Sequence, residues 1–374
     1  MLSASPVPAA SAYTGVPPFA MTRSDPLPPF VPAPALSHRH VQTVWGRLTR
    51  PRRLVPLRRE TLPTPDGDEV VLDHLDGPAG APRVVLLHGL EGSSHSVYVQ
   101  GLLALLARRG LRGVAMNFRS CARDLPSLRR SLPNRGRRLY HSGETGDLDH
   151  LLRGLAGEAP DAPLGAIGVS LGGNVLLKWL GEHPGERLLS AAATISVPYD
   201  LAAGARVLEQ GLGPLYVASF LSSLRAKAFL VLERHPDLAS RVDLHGLRRA
   251  RTFFDFDDAV TGPLHGFRGA RHYYEESSSL GFLARVETPT LCLSAEDDPF
   301  LPAEALDRVA SRAAPCVHLV RTARGGHTGF VAGGGPFRFR YWAEERAVEF
   351  VAARLGAPPA DSAERGGSPG VLSS

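Results

Sequence analysis

The 374-residue chain carries 42 Lys and Arg against 37 Asp and Glu, a formal net charge of +5, and 43% of its residues are hydrophobic. That length and apolar content can bury one large core, while so small a charge excess argues against a nucleic-acid partner. Cys121, Cys292 and Cys316 form no CxxC pair and no even framework, which suits a reducing, cytoplasmic setting.

Residues 1–28 are rich in Pro, Ala and Ser and are expected to be disordered. The first twenty lack the basic n-region and continuous apolar h-region of a secretory signal, and Met21 is an alternative start. No apolar run approaches the ~18 residues of a membrane span. The densest basic stretch, RLTRPRRLVPLRRE at 47–60, has no interleaved aromatics. It reads first as a solvated face or packing arm, with contact to phosphate or a peripheral anionic membrane as the other reading.

RRETLP and EVVLDHL then form a hairpin pair. RVVLLH (83–88), RGVAMNF (112–118), LGAIGV (164–169) and SAAATISV (190–197) are short apolar runs of the buried parallel type. Helical stretches at 96–110 and 146–158 separate the first three. PTLCLS (289–294) and CVHLVR (316–321) flank another helix at 302–313, and YWAEERAVEFVAARL (341–355) closes the body. This alternation predicts a doubly wound α/β sheet with helices on both faces over 29–355. It breaks at about 198–285, where seven of the fifteen phenylalanines fall. That insertion is expected to form a helical cap. The tail, 356–374, is expected to be disordered.

GVSLGG (168–173) lies between a buried strand and a helix. A serine nucleophile on such a turn needs small neighbours two residues to either side, and Gly168 and Gly172 supply them around Ser170. The pattern is the one expected of a nucleophile elbow in an α/β-hydrolase fold, the other reading being an ordinary glycine-rich turn. A serine hydroxyl is a poor nucleophile unless a base takes its proton and a carboxylate holds that base. An acid is expected after PTLCLS, where Asp297 and Asp298 are adjacent. A base is expected after CVHLVR, where glycines let His327 turn back over the strand ends. Adjacent residues leaving a strand cannot both face one imidazole, so the acid is Asp298 or Asp297. The oxyanion hole is assigned to the amides of Leu171, directly after the serine, and Leu90, in the loop after RVVLLH. His88 is expected to tie that loop together. No metal-ligand spacing or phosphate fingerprint is found, so no metal and no cofactor is expected.

HRHVQT, HGLEGSS, YHSGETGDL, GVSLGGN, SAEDDPFLP and GGHTGF together resemble the YheT-like branch of the α/β-hydrolase superfamily, from about Phe30 to Leu355. The resemblance implies a serine hydrolase of ester or lipid-like substrates with the triad Ser170, Asp298 and His327. Asp298 is the acid it selects, because the family acid precedes a proline by four positions, here Pro302. Two departures stand out. A glycine-rich RGCSG-like segment is replaced by Arg119-Ser120-Cys121-Ala122-Arg123, and His272 stands where an acidic or threonine residue is usual.

The expected activity is hydrolysis of short- to medium-chain carboxylic esters through an acyl-enzyme. The apolar cap residues Phe220, Leu221, Ala228, Phe229, Leu230, Phe253 and Phe254 are candidates to meet the acyl chain. Two alternatives remain open: alcohol acyl transfer on the same triad, and a non-catalytic lipid- or RNA-binding protein on a hydrolase scaffold. The oligomeric state is not legible.

Overall fold

The computed structural model describes residues 28–333 and 339–357. The terminal segments expected to be disordered lie outside these residues, apart from Pro28, Gly356 and Ala357.

Eight strands form one sheet: β1 (Arg58–Pro63), β2 (Glu69–Leu75), β3 (Arg83–Leu87), β4 (Arg112–Asn117), β5 (Leu164–Val169), β6 (Ala191–Ile195), β7 (Thr290–Ala295) and β8 (Val317–Thr322). Their order is β1-β2-β4-β3-β5-β6-β7-β8. The β1–β2 and β2–β4 pairs are antiparallel, and every later pair is parallel. Strands β3, β5, β6 and β7 are buried along their whole length, because helices cover both faces of the sheet. The two-residue period of a strand divides the core between those faces. Val85 and Leu87 pack with helices α3 (Gly146–Glu158) and α4 (Leu171–Glu182). Val84 and Leu86 pack with α2 (Val97–Arg108) and the closing helix Trp342–Arg354.

An additional helix, α1 (Arg39–Thr49), precedes the sheet. Its Gln42 is completely buried. The Gln42 amide donates to the carbonyls of Leu36 (2.6 Å) and Val331 (3.1 Å) and accepts from the Val331 N–H (2.7 Å), tying the start of the described chain to residues near its end.

Between β6 and β7 the described chain is helical. It includes α5 (Leu201–Val207), α6 (Gly213–Arg234) and shorter helices through Leu283–Arg285. By length and composition alone, α6 is apolar enough to cross a membrane, although it carries Arg225 and Lys227 and no uninterrupted apolar run. Its Val217, Leu221, Leu224, Ala228 and Val231 pack with Phe256, Val260 and Leu264 into a separate small core.

Candidate active site

Ser170 sits at the junction of β5 and α4 with φ 53° and ψ −120°. A non-glycine residue in this region carries strain on the order of 1–3 kcal/mol, which persists only where its surroundings enforce it. Here they do. The Ser170 N–H donates 2.8 Å to the Ile195 carbonyl, and its own carbonyl accepts from Asn174. A Cβ on Gly168 would lie 2.6 Å from the Gly172 carbonyl oxygen, and one on Gly172 would lie 2.5 Å from that of Leu87. No side chain fits at either position, so the sharp turn rests on these two glycines.

His327 lies after β8, in a loop whose backbone has positive φ at Gly325, Gly326, Thr328 and Phe330. Its Nε2 is 2.9 Å from Ser170 Oγ, and its Nδ1 is 2.8 Å from Asp298 Oδ2 and 3.1 Å from Oδ1. An ionised carboxylate only accepts, so Nδ1 carries the proton and Nε2 is left to accept from the serine hydroxyl. Asp298 is 2% exposed, and its Oδ1 also accepts from the Phe300 N–H at 2.8 Å. The Phe300 ring stacks on the imidazole at 4.2 Å between centroids. Asp297 faces elsewhere: its Oδ1 accepts from the Gly326 N–H at 2.9 Å, and burial pushes its carboxyl above the usual range.

The loop after β3 passes directly over the serine, since a Cβ on Gly89 would lie 3.1 Å from Ser170 Cβ. The Gly89 N–H donates to the Tyr98 hydroxyl and the Glu91 N–H to that of Tyr140. The Leu90 N–H between them has no partner among the described residues, nor has the Leu171 N–H at the first turn of α4. Both residues line the same cavity as Ser170 and His327. The two amides assigned to an oxyanion hole are thus both available as donors among the described residues.

His88 anchors this loop. Its Nδ1 donates to the Gly89 carbonyl (2.7 Å) while Nε2 accepts from the Phe118 N–H (3.1 Å). Burial pushes its pKa down to about 4, and burial also lowers those of His141 and His265. Below about pH 6.5 these imidazoles stay neutral in the fold but protonate once the chain unfolds. Their contribution to stability is thus complete above about pH 6.5 and is lost as the pH falls toward 4. His88 alone accounts for about 3 kcal/mol over that window. Urea midpoints should fall steadily between pH 7 and pH 5; a flat profile would contradict the neutral assignment.

The cavity over Ser170 has a volume of about 460 Å³, within the ordinary range for a small-molecule site. Phe220 and Phe253 line it. Leu221 and Ala228 are buried in the cap core instead, Phe229 is 37% exposed, and Phe254 faces a separate shallow depression, as does His272. Leu230 is not among the lining residues.

Several contributors are not assigned a role by their sequence. Thr43 Oγ1 accepts from the His327 N–H at 3.0 Å, and Ser196 Oγ accepts from that of Thr328 at 3.0 Å. A Cβ on Gly326 would overlap the Arg39 carbonyl, and one on Gly329 that of Gln42. Helix α1, which carries HRHVQT, is thus packed directly against the histidine loop. Glu91 accepts from Lys227 of α6 (2.6 Å), from Tyr140 (2.7 Å) and from Ser223, which ties the cap to the loop bearing Leu90.

The chain matches the alpha/beta hydrolase fold family over residues 82–333. It is 36% identical over 331 residues to YheT of Escherichia coli (strain K12), a protein named as a candidate esterase, covering 88% of this chain and 94% of that one. It is 31% identical to the phospholipase ABHD3 of Mus musculus, covering 82% and 77% of the two chains. Among solved structures, the Pyrococcus furiosus esterase Pf2001 superposes with a TM-score of 0.52 at 15% identity, covering 82% of this chain and 98% of that chain, a likeness of fold alone. The elbow, the strand order and these relatives agree: the chain belongs to the α/β-hydrolase fold family, in its YheT-like branch.

Proposed function

We propose that the protein is a serine esterase that cleaves carboxylic esters of short to medium acyl chain through an acyl-enzyme. The observation that carries this reading is the continuous hydrogen-bonded line from Ser170 Oγ through the His327 ring to Asp298. Ser170 Oγ attacks the ester carbonyl carbon while His327 Nε2 takes its proton. Asp298 holds the imidazole in the required tautomer and stabilises the imidazolium. The Leu90 and Leu171 amides receive the negative charge that develops on the carbonyl oxygen. Collapse of the tetrahedral intermediate expels the alcohol, which takes the proton from His327. Water then attacks the acyl-serine by the same route, releasing the acid and restoring the serine. Small-molecule or lipid esters as substrates are supported by the esterase and phospholipase names of the relatives.

The test is a chain-length series of esters assayed with and without added alcohol, measuring free acid and transferred ester separately. Hydrolysis should exceed transfer in dilute aqueous alcohol, and rates should be highest for short to medium chains. Dominant transfer would make the protein an alcohol acyltransferase, and inactivity on every acyl ester would overturn the reading.

A further inference from the structure

The basic stretch at 47–60 and the Arg119–Arg123 departure meet at the catalytic cavity. Arg47, Arg50, Arg52 and Arg123 all line it together with Ser170. One of the four is already committed: Arg50 makes a two-pronged pair with Glu344, buried on both sides. For Arg47, Arg52 and Arg123, no carboxylate lies within 4.0 Å among the described residues. The cavity's own acids do not offset them. Glu91 is held by Lys227, and Asp257 bonds to the Thr261 and Tyr274 hydroxyls at the cap end.

Arg123 is the best placed of the three. Its carbonyl is gripped by Arg59 Nη1 at 2.6 Å, and Arg59 is itself fixed on Asp73. Its guanidinium reaches to 3.4 Å from the Glu91 carbonyl, beside the peptide that follows Leu90. A planar guanidinium that lines the same cavity as Ser170 with no carboxylate partner among the described residues is suited to a phosphate, which it can bind by two parallel hydrogen bonds.

We propose that Arg123, with Arg47 and Arg52, binds an anionic group carried by the substrate itself, so that the preferred esters bear a phosphate close to the acyl group. This rests on Ser170 acting as the nucleophile.

The test compares two soluble esters, butyrylglycerol and butyrylglycerol phosphate, at low ionic strength. The phosphate ester should be favoured about tenfold or more in kcat/KM, and added salt should shrink that ratio. Arg123→Gln should cut the ratio several-fold, and the triple variant with Arg47→Gln and Arg52→Gln should bring it near one. Arg129→Gln, on the same loop but not lining the cavity, should leave the ratio unchanged. Equal rates on the two esters in the native protein, or a ratio unmoved by Arg123→Gln, would overturn the proposal. A third arm presents a neutral ester in phosphatidylcholine vesicles with or without phosphatidylserine. If the arginine substitutions alter only the response to anionic vesicles, the guanidiniums face a bilayer and the substrate-anion assignment falls. Inactivity on both esters, with no labelling by a fluorophosphonate, would instead strike the serine-hydrolase reading. Labelling and turnover without preference would strike this proposal alone.

Discussion

Ser170→Ala should lower kcat at least about 10³-fold and abolish labelling by a fluorophosphonate probe. The size of the loss follows from what the hydroxyl does. It is the only proposed atom that bonds covalently to the acyl carbon, and without it the cavity and the two free amides can act only on direct attack by water. The fold should be almost untouched, because the hydroxyl's hydrogen bond is to His327 Nε2, while the elbow is held by its backbone. A thermal midpoint close to that of the native protein would separate lost chemistry from lost structure. Persistence of labelling in this variant would move the nucleophile elsewhere.

The second large effect is expected from Asp298→Asn, with a loss on the order of 10³–10⁴-fold in kcat. An amide can donate to Nδ1, which would shift the ring proton to Nε2 and leave the serine facing a donor instead of a base. The new group is also neutral and cannot stabilise an imidazolium. Asp297→Asn keeps an oxygen able to accept from the Gly326 N–H and should cost less than about tenfold, since a single hydrogen bond contributes only about 1 kcal/mol. Parallel kinetics on the two variants provide the check. The reverse ranking would assign the acid to Asp297.

The sheet is legible because its inner strands are buried on both faces and read as unbroken apolar runs; β5, written LGAIGV, needs no more than that. The elbow is legible because its steric demand falls on neighbours in sequence, Gly168 and Gly172 beside Ser170. Helix α1 is not. The apolar Val41, Val44, Trp45 and Leu48 do recur at helical spacing, but so short a stripe does not say where the helix docks: its one fully buried residue is the polar Gln42, whose bonds run to Val331, 289 residues away. The Lys227–Glu91 pair spans 136 residues and has no spacing to betray it. Ser120 is a subtler case. In place of the glycine-rich pattern it takes φ 61°, so the backbone conformation is one glycine would adopt freely while the side chain differs. The departure from the pattern can be read in the sequence, but the accommodation it requires cannot.

The grip of α1 on the histidine loop bears on what counts as the minimal working unit. The stretch matched to the hydrolase family, 82–333, contains Ser170, Asp298 and His327, yet it omits Gln42 and Thr43. In the intact chain those two residues engage Val331 and His327. The sheet's first two strands, β1 and β2, also lie before residue 82. A fragment cut to the matched boundaries would keep every proposed reacting group and lose the brace that aims one of them. For this chain, the unit that holds the proposed triad in place is longer than the family-model match, and it starts with residues some forty positions before that match begins.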